Sequence, residues 1–133
     1  MKNLRNNGFT LIELLIVLVI LGLLASLVAP KMFSKVDSSM IKTAQTQMKL
    51  IETALDTYRL DVGQHPDSLD ELIKSDKKNW DGPYLPKEVP LDPWGNPYIY
   101  SRPGDNGKPF NLMSYGKDGR SGGDDDNADI IHQ

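Results

Sequence analysis

Residues 9–29 constrain this chain more than any other stretch. They read Phe9-Thr10-Leu11-Ile12-Glu13-Leu14-Leu15-Ile16-Val17-Leu18-Val19-Ile20-Leu21-Gly22-Leu23-Leu24-Ala25-Ser26-Leu27-Val28-Ala29. A run of roughly 20 mostly apolar residues is long enough to cross a bilayer as a helix. Lys2 and Arg5 precede it, so the start of the chain is expected on the cytoplasmic side and everything after Pro30 on the other. Glu13 interrupts the run about one turn in. A carboxylate there costs a few kcal/mol on insertion scales unless it sits at headgroup depth or meets a positive partner. An ordinary secretory signal cut near Ala29 is the competing reading, but the run is long for that purpose and Glu13 would break it.

Gly8-Phe9-Thr10-Leu11-Ile12-Glu13 behind a short basic leader resembles the signal shared by type IV pilins and pseudopilins. The resemblance implies leader cleavage after Gly8 by a membrane peptidase and N-methylation of the new first residue, Phe9. It implies that Glu13 pairs with the N-terminal amine of a neighbouring subunit. Glu13 would then be a buried charge compensated only in an assembled filament.

Beyond the apolar run lie roughly 100 residues, enough for one small domain. There are no cysteines, so disulfides, the usual staples of a small exported domain, are not available to it. Loss of Lys2 and Arg5 with the leader takes the net charge from −3 to about −5, which argues against nucleic-acid binding.

Pro30 either ends the helix or, inside a continuing one, removes a backbone bond and favours a kink. Ile41, Ala44, Met48, Ile51, Leu55 and Tyr58 alternate spacings of three and four, an apolar stripe on one helix face. One helix over about residues 9–60 is therefore expected, its second half amphipathic. The stripe suits packing on the chain's own domain better than a coiled-coil seam. Gly63 is placed to take a left-handed cap. Ser68 and Glu71 have capping-box spacing over a short helix. His65, a lone histidine beside Pro66, is read as structural or solvated.

Residues 79–98 are rich in proline, glycine and aromatics, an ordered loop expected to pack Trp80, Tyr84 and Trp94 over the core. Within it, Asp92-Pro93-Trp94-Gly95-Asn96-Pro97-Tyr98 is similar to a signature of the major pseudopilins of type II secretion systems, where its role is that of a structural turn leading into the sheet. Residues 98–101 and 110–114 read as two strands of an antiparallel hairpin. Two or three short strands on the amphipathic half-helix would make a small α+β domain.

Ser114-Tyr115-Gly116-Lys117-Asp118-Gly119-Arg120-Ser121-Gly122-Gly123-Asp124-Asp125-Asp126-Asn127-Ala128-Asp129 follows. Crowded carboxylates repel, and hard oxygens on a flexible backbone suit Ca²⁺ better than Mg²⁺. Composition leaves a solvated loop and a cation site equally open, and the aspartate spacing is not that of an EF-hand. The resemblance to major pseudopilins implies a structural Ca²⁺ held by Asp118, Asp125 and Asp126 with the backbone carbonyl of Tyr115. Asp124 makes the register ambiguous, and Asp129, Asn127 and Ser114 are further candidates. Such an ion would do the work of a disulfide, its binding free energy adding to the stability of the fold.

No cysteine nucleophile, no phosphate-cradling loop and no acid–base pair is visible, so an enzyme is not expected. The resemblance implies the type IV pilin-like fold. On that resemblance the chain is expected to divide into a leader over 1–8, a transmembrane and filament-core helix over 9–30, and a periplasmic domain over 31–133. The implied role is the major subunit of a type II secretion pseudopilus, exporting folded proteins from a base in the inner membrane. Implied partners are the chain itself, minor pseudopilins, the prepilin peptidase and the inner-membrane assembly platform. The alternatives are a type IV pilin for adhesion, motility or DNA uptake, which the Trp94 signature and missing cysteines disfavour, and a monomeric membrane-anchored Ca²⁺-binding module.

Overall fold

The computed structural model describes residues 8–132, without the side chains of Ala29, Pro30 and Asp126; the basic leader residues lie outside it. One helix, α1, runs over Leu11–Val62, and its assignment continues through Pro30. A single helix was expected from the apolar periodicity, and it is found. Contacts divide the chain into two units, Met1–Val36 and Asp37–Gln133.

In the first unit the large apolar side chains from Phe9 to Val28 are each about half exposed or more. By length and composition this part of α1 is apolar enough to cross a membrane.

In the second unit the stripe on α1 makes the core. Ala44, Met48, Ile51, Leu55 and Tyr58 are all buried, and they meet Leu69, Leu72, Leu85, Tyr98, Leu112 and Ile130. Gly63 ends the helix with φ +99°, and its N–H donates to the Arg59 carbonyl at 2.8 Å, as its expected cap role requires. The short helix after it is a single 3-10 turn over Leu69–Leu72. Glu71 Oε2 accepts the N–H groups of Asp67 at 2.6 Å and Ser68 at 3.3 Å, the half of the capping box that reaches back.

The sheet has three strands: β1 over Ile99–Ser101, β2 over Asn111–Ser114 and β3 over Ile130–Ile131. All pairings are antiparallel in the order β1-β2-β3, with Tyr100 opposite Leu112 and Ser114 opposite Ile130. The hairpin was legible; β3 is two residues long, too short to announce itself by alternation. Along β2, Leu112 and Ser114 point inward while Asn111 and Met113 are half exposed.

Aromatic groups fasten the long loop over this core. Trp80 Nε1–H donates to the Glu71 carbonyl at 2.7 Å, and Tyr84 Oη–H to Asp61 at 2.8 Å. Tyr100 Oη–H donates to the Pro66 carbonyl at 2.6 Å. His65 is buried 3.3 Å from Asp56, edge-on to Phe110 at 5.0 Å, a packing role.

The candidate assembly helix and the acidic loop

Two places carry the candidate functional residues. At the first, Thr10 stands just before α1. Its Oγ1 accepts the N–H of Glu13 at 3.2 Å, and its carbonyl accepts the N–H of Leu14 at 3.2 Å. Thr10 is thus the N-cap and Glu13 the acidic residue of the first turn, near the partial positive charge of the helix start. The reading of the sequence missed this, although Thr10 and Glu13 have the same Thr/Ser-x-x-Glu spacing as Ser68 and Glu71. Among the described residues, none of the ion pairs involves Glu13. At Gly8 a Cβ would meet nothing within 4 Å. The folded chain itself does not demand glycine there.

The second place is the loop between β2 and β3, and the Asp92 turn holds its beginning. Asp92 is buried, at 4% exposure. Its Oδ1 accepts the N–H groups of Trp94 at 3.1 Å and Asn96 at 2.8 Å, and its Oδ2 accepts Ser114 Oγ–H at 2.8 Å. Ser114 Oγ in turn accepts the Gly116 N–H at 3.1 Å. Gly116 has φ +76°, and a Cβ on it would stand 2.6 Å from the Ala128 carbonyl oxygen. Gly119, at φ +66°, lies under the Asn96 side chain, whose Nδ2 would be 2.9 Å from a Cβ there. The proline-rich turn therefore leads into β1 and also buttresses the acidic loop from outside.

Of the expected metal ligands, Asp118 is exposed; its Oδ1 accepts the Arg120 N–H at 3.1 Å. Its Oδ2 would stand 3.1 Å from a Cβ on Gly123, on which the Asn127 carbonyl also closes. Asp118 and the Asn127 backbone therefore meet around Gly123. Asp124 precedes a 3-10 turn over Asp125–Asn127, and Asp125 takes a left-handed φ of +53°. Asp129 Oδ2 accepts the Gly122 N–H at 2.9 Å, while its Oδ1 is buried without a partner. Tyr115 is half-buried at the head of the loop, and the Asp126 side chain lies outside the described residues. Among the described residues no three carboxylate or imidazole side chains converge on one point. The donor chemistry fits a hard cation all the same: carboxylates and carbonyls on a glycine-rich loop, with one buried carboxylate oxygen unsatisfied.

Residues 3–29 match the prokaryotic N-terminal methylation motif, and residues 31–133 match the family described as type II secretion system (T2SS), protein G. The chain belongs to the type II secretion system protein G family. It is 44% identical to the type II secretion system core protein G of Pseudomonas aeruginosa, over 98% of this chain and 96% of that one. The core protein G of Aeromonas hydrophila is 40% identical over 95% and 93%, and that of Vibrio cholerae 39% over 98% and 94%. The fold resembles the crystal structure of the major pseudopilin from the type 2 secretion system of enterohaemorrhagic Escherichia coli. That match has a TM-score of 0.62 at 26% identity and covers 74% of this chain and 86% of that one. Family and fold are those expected from the Gly8–Glu13 motif and the Asp92–Tyr98 turn.

Proposed function

We propose that the chain is the major structural subunit of a type II secretion pseudopilus, a homopolymer whose growth drives folded proteins across the outer membrane. The observation that carries this reading is the pairing of two matched parts: a methylation-motif segment whose large apolar side chains are about half exposed or more, and a protein G domain with its own core. Apolar surface on that scale is stable only in lipid or against other protein. The precursor rests in the inner membrane with its domain in the periplasm. Prepilin peptidase cleaves after Gly8 and methylates Phe9; minor pseudopilins and the inner-membrane platform take part in assembly. Glu13 supplies the charge that a neighbour's N-terminal amine compensates. The role is mechanical and no catalysis is assigned to the chain.

In the same reading the acidic loop holds one structural Ca²⁺. Asp118, Asp125 and Asp126 with the Tyr115 carbonyl are the principal donors, and Asp124, Asn127, Ser114 and Asp129 are the further candidates. The unsatisfied Asp129 Oδ1 supports a cation in this loop. Bound there, the ion supplies charge neutralisation and a cross-link between the two ends of the loop.

The test of the assignment is processing in cells. Replacing Gly8 by Leu leaves the native fold uncrowded, so the prediction is a stable chain that retains its leader and its unmethylated start, read by mass spectrometry. Normal cleavage of Gly8→Leu would remove the basis for the assignment.

A further inference from the structure

The acidic loop is tied to the domain at both ends, by different means. The Asp92 buttress holds its head. Its tail runs into β3, whose two residues pair with Met113 and Ser114. Strands are usually longer than that, and so short a ladder is a weak anchor. The residue after it supplies the rest. The His132 N–H donates to the Leu112 carbonyl at 2.9 Å. Its imidazole stacks on Phe110, with ring centroids 6.5 Å apart and planes 8° from parallel. Nε2 stands 2.9 Å from Glu52 Oε2 on α1, and the side chain is 11% exposed. A ring nitrogen that close to a carboxylate oxygen carries a proton. Nε2 has no aligned hydrogen bond among the described residues, so the pull between the two is electrostatic, and partial burial strengthens it.

The second histidine gives a comparison within the same cluster. His65 stands 3.3 Å from Asp56, four residues after Glu52 on α1, and meets the same Phe110 ring edge-on. It is the more deeply buried of the two, at 5%. In the chain, however, it lies between the end of α1 and the short 3-10 turn, whereas His132 follows Asp129 by three residues. Whatever fixes His132 therefore fixes the tail of the acidic loop, and whatever fixes His65 does not.

We propose that His132 and Glu52 are positioning residues for the cation of the acidic loop. The inference rests on the Ca²⁺ reading above. Neither side chain is a donor to the ion. Ser114 stands opposite Ile130 across the sheet. The seat of β3 therefore sets the distance between the first half of the loop, with Asp118, and the second, with Asp124 and Asp125. Ca²⁺ takes its oxygens at about 2.3–2.6 Å, and a displaced tail loses that reach. Anchoring β3 to α1 before the ion arrives removes part of the ordering cost from the binding step.

The full chain in detergent, stripped with chelator, is titrated with Ca²⁺ by calorimetry. His132→Ala should weaken binding roughly tenfold, within the range that outer partners of metal sites carry. Glu52→Gln should do the same, and the two together should cost no more than either alone. His65→Ala is the control. It should lower the melting temperature at least as much as His132→Ala and leave Ca²⁺ affinity unchanged. His132→Leu keeps bulk against Phe110 but cannot attract Glu52, so it should weaken binding like His132→Ala even where the alanine variant folds poorly. Unchanged affinity in His132→Leu would overturn the proposal. So would equal weakening by His65→Ala, since affinity would then follow overall stability. A loss of about a hundredfold in the double variant would also overturn it, because the two side chains would then act independently. If the unsubstituted chain binds no Ca²⁺, the Ca²⁺ reading fails and the inference with it; if it binds and the variants match it, the inference alone fails.

Discussion

Asp92 holds three donors at once, two from its own turn and one from Ser114 across the domain. Buried donors left without an acceptor each cost about 1–3 kcal/mol. Asp92→Ala should therefore destabilise the domain by roughly 3 kcal/mol, a fall of over 10 °C in melting temperature for a domain of about 100 residues. Tryptophan fluorescence of the full chain in detergent checks this, since Trp80 and Trp94 both pack on the core. Asp92→Asn keeps one acceptor oxygen and should lose about half as much. The importance of this turn was legible as a motif, but its partner was not. Asp92 and Ser114 are far apart in sequence, and neither residue type signals a buried contact. Thr10 is the opposite case: its spacing to Glu13 announces a cap.

The elements of the domain were legible in proportion to their periodicity. The α1 stripe repeats over five turns and left little room for another answer. β3 is only two residues long and owes its existence to pairing with Met113 and Ser114. The 3-10 turn over Leu69–Leu72 is held by Glu71, which also lies 2.9 Å from Lys77 Nζ. Burial would raise the Glu71 carboxyl, but Lys77 and the N–H groups of Asp67 and Ser68 outweigh it and hold the group below its ordinary value of 4.5. The Arg102 guanidinium, with Lys77 behind it, likewise lowers Asp67. A carboxylate depressed in the fold adds stability at pH above its ordinary value, and that stability drains as pH falls toward the folded value. Melting temperature should hold level from pH 7 to about 5 and decline below about 4.5, and Glu71→Gln should flatten that decline. The acidic loop answers to a different variable. Chelator should lower the melting temperature of the full chain, with Ca²⁺ restoring it better than Mg²⁺. Asp125→Ala should be insensitive to both; an unchanged melting curve under chelator would make the loop a solvated one.

At the scale of the molecule, the division between an apolar arm and a folded domain was visible from composition along the chain, because a bilayer and a water-exposed core ask for different patterns. The outer face of α1 was not, since threonine reads as polar until its hydroxyl is seen bonded to its own helix. The assembled state bears on Glu13. Glu13→Ala should leave a chain that inserts, is cleaved and melts normally but yields few filaments, as counted from sheared cells by immunoblot. Wild-type filament yield from that variant would end the compensated-charge account. The buttress of Asp92, Ser114 and Gly116 has a kinetic counterpart to its thermodynamic one. It holds the head of the acidic loop through contacts made within the chain itself, so under the proposed Ca²⁺ reading the glycine-rich second half is the part left to close. Under that reading, closing the remaining loop of some ten residues would take tens of nanoseconds, and the arrival of the ion, not the closing of the loop, would set the time of loading. The order of the loop would then place no brake of its own on the supply of subunits to a growing filament.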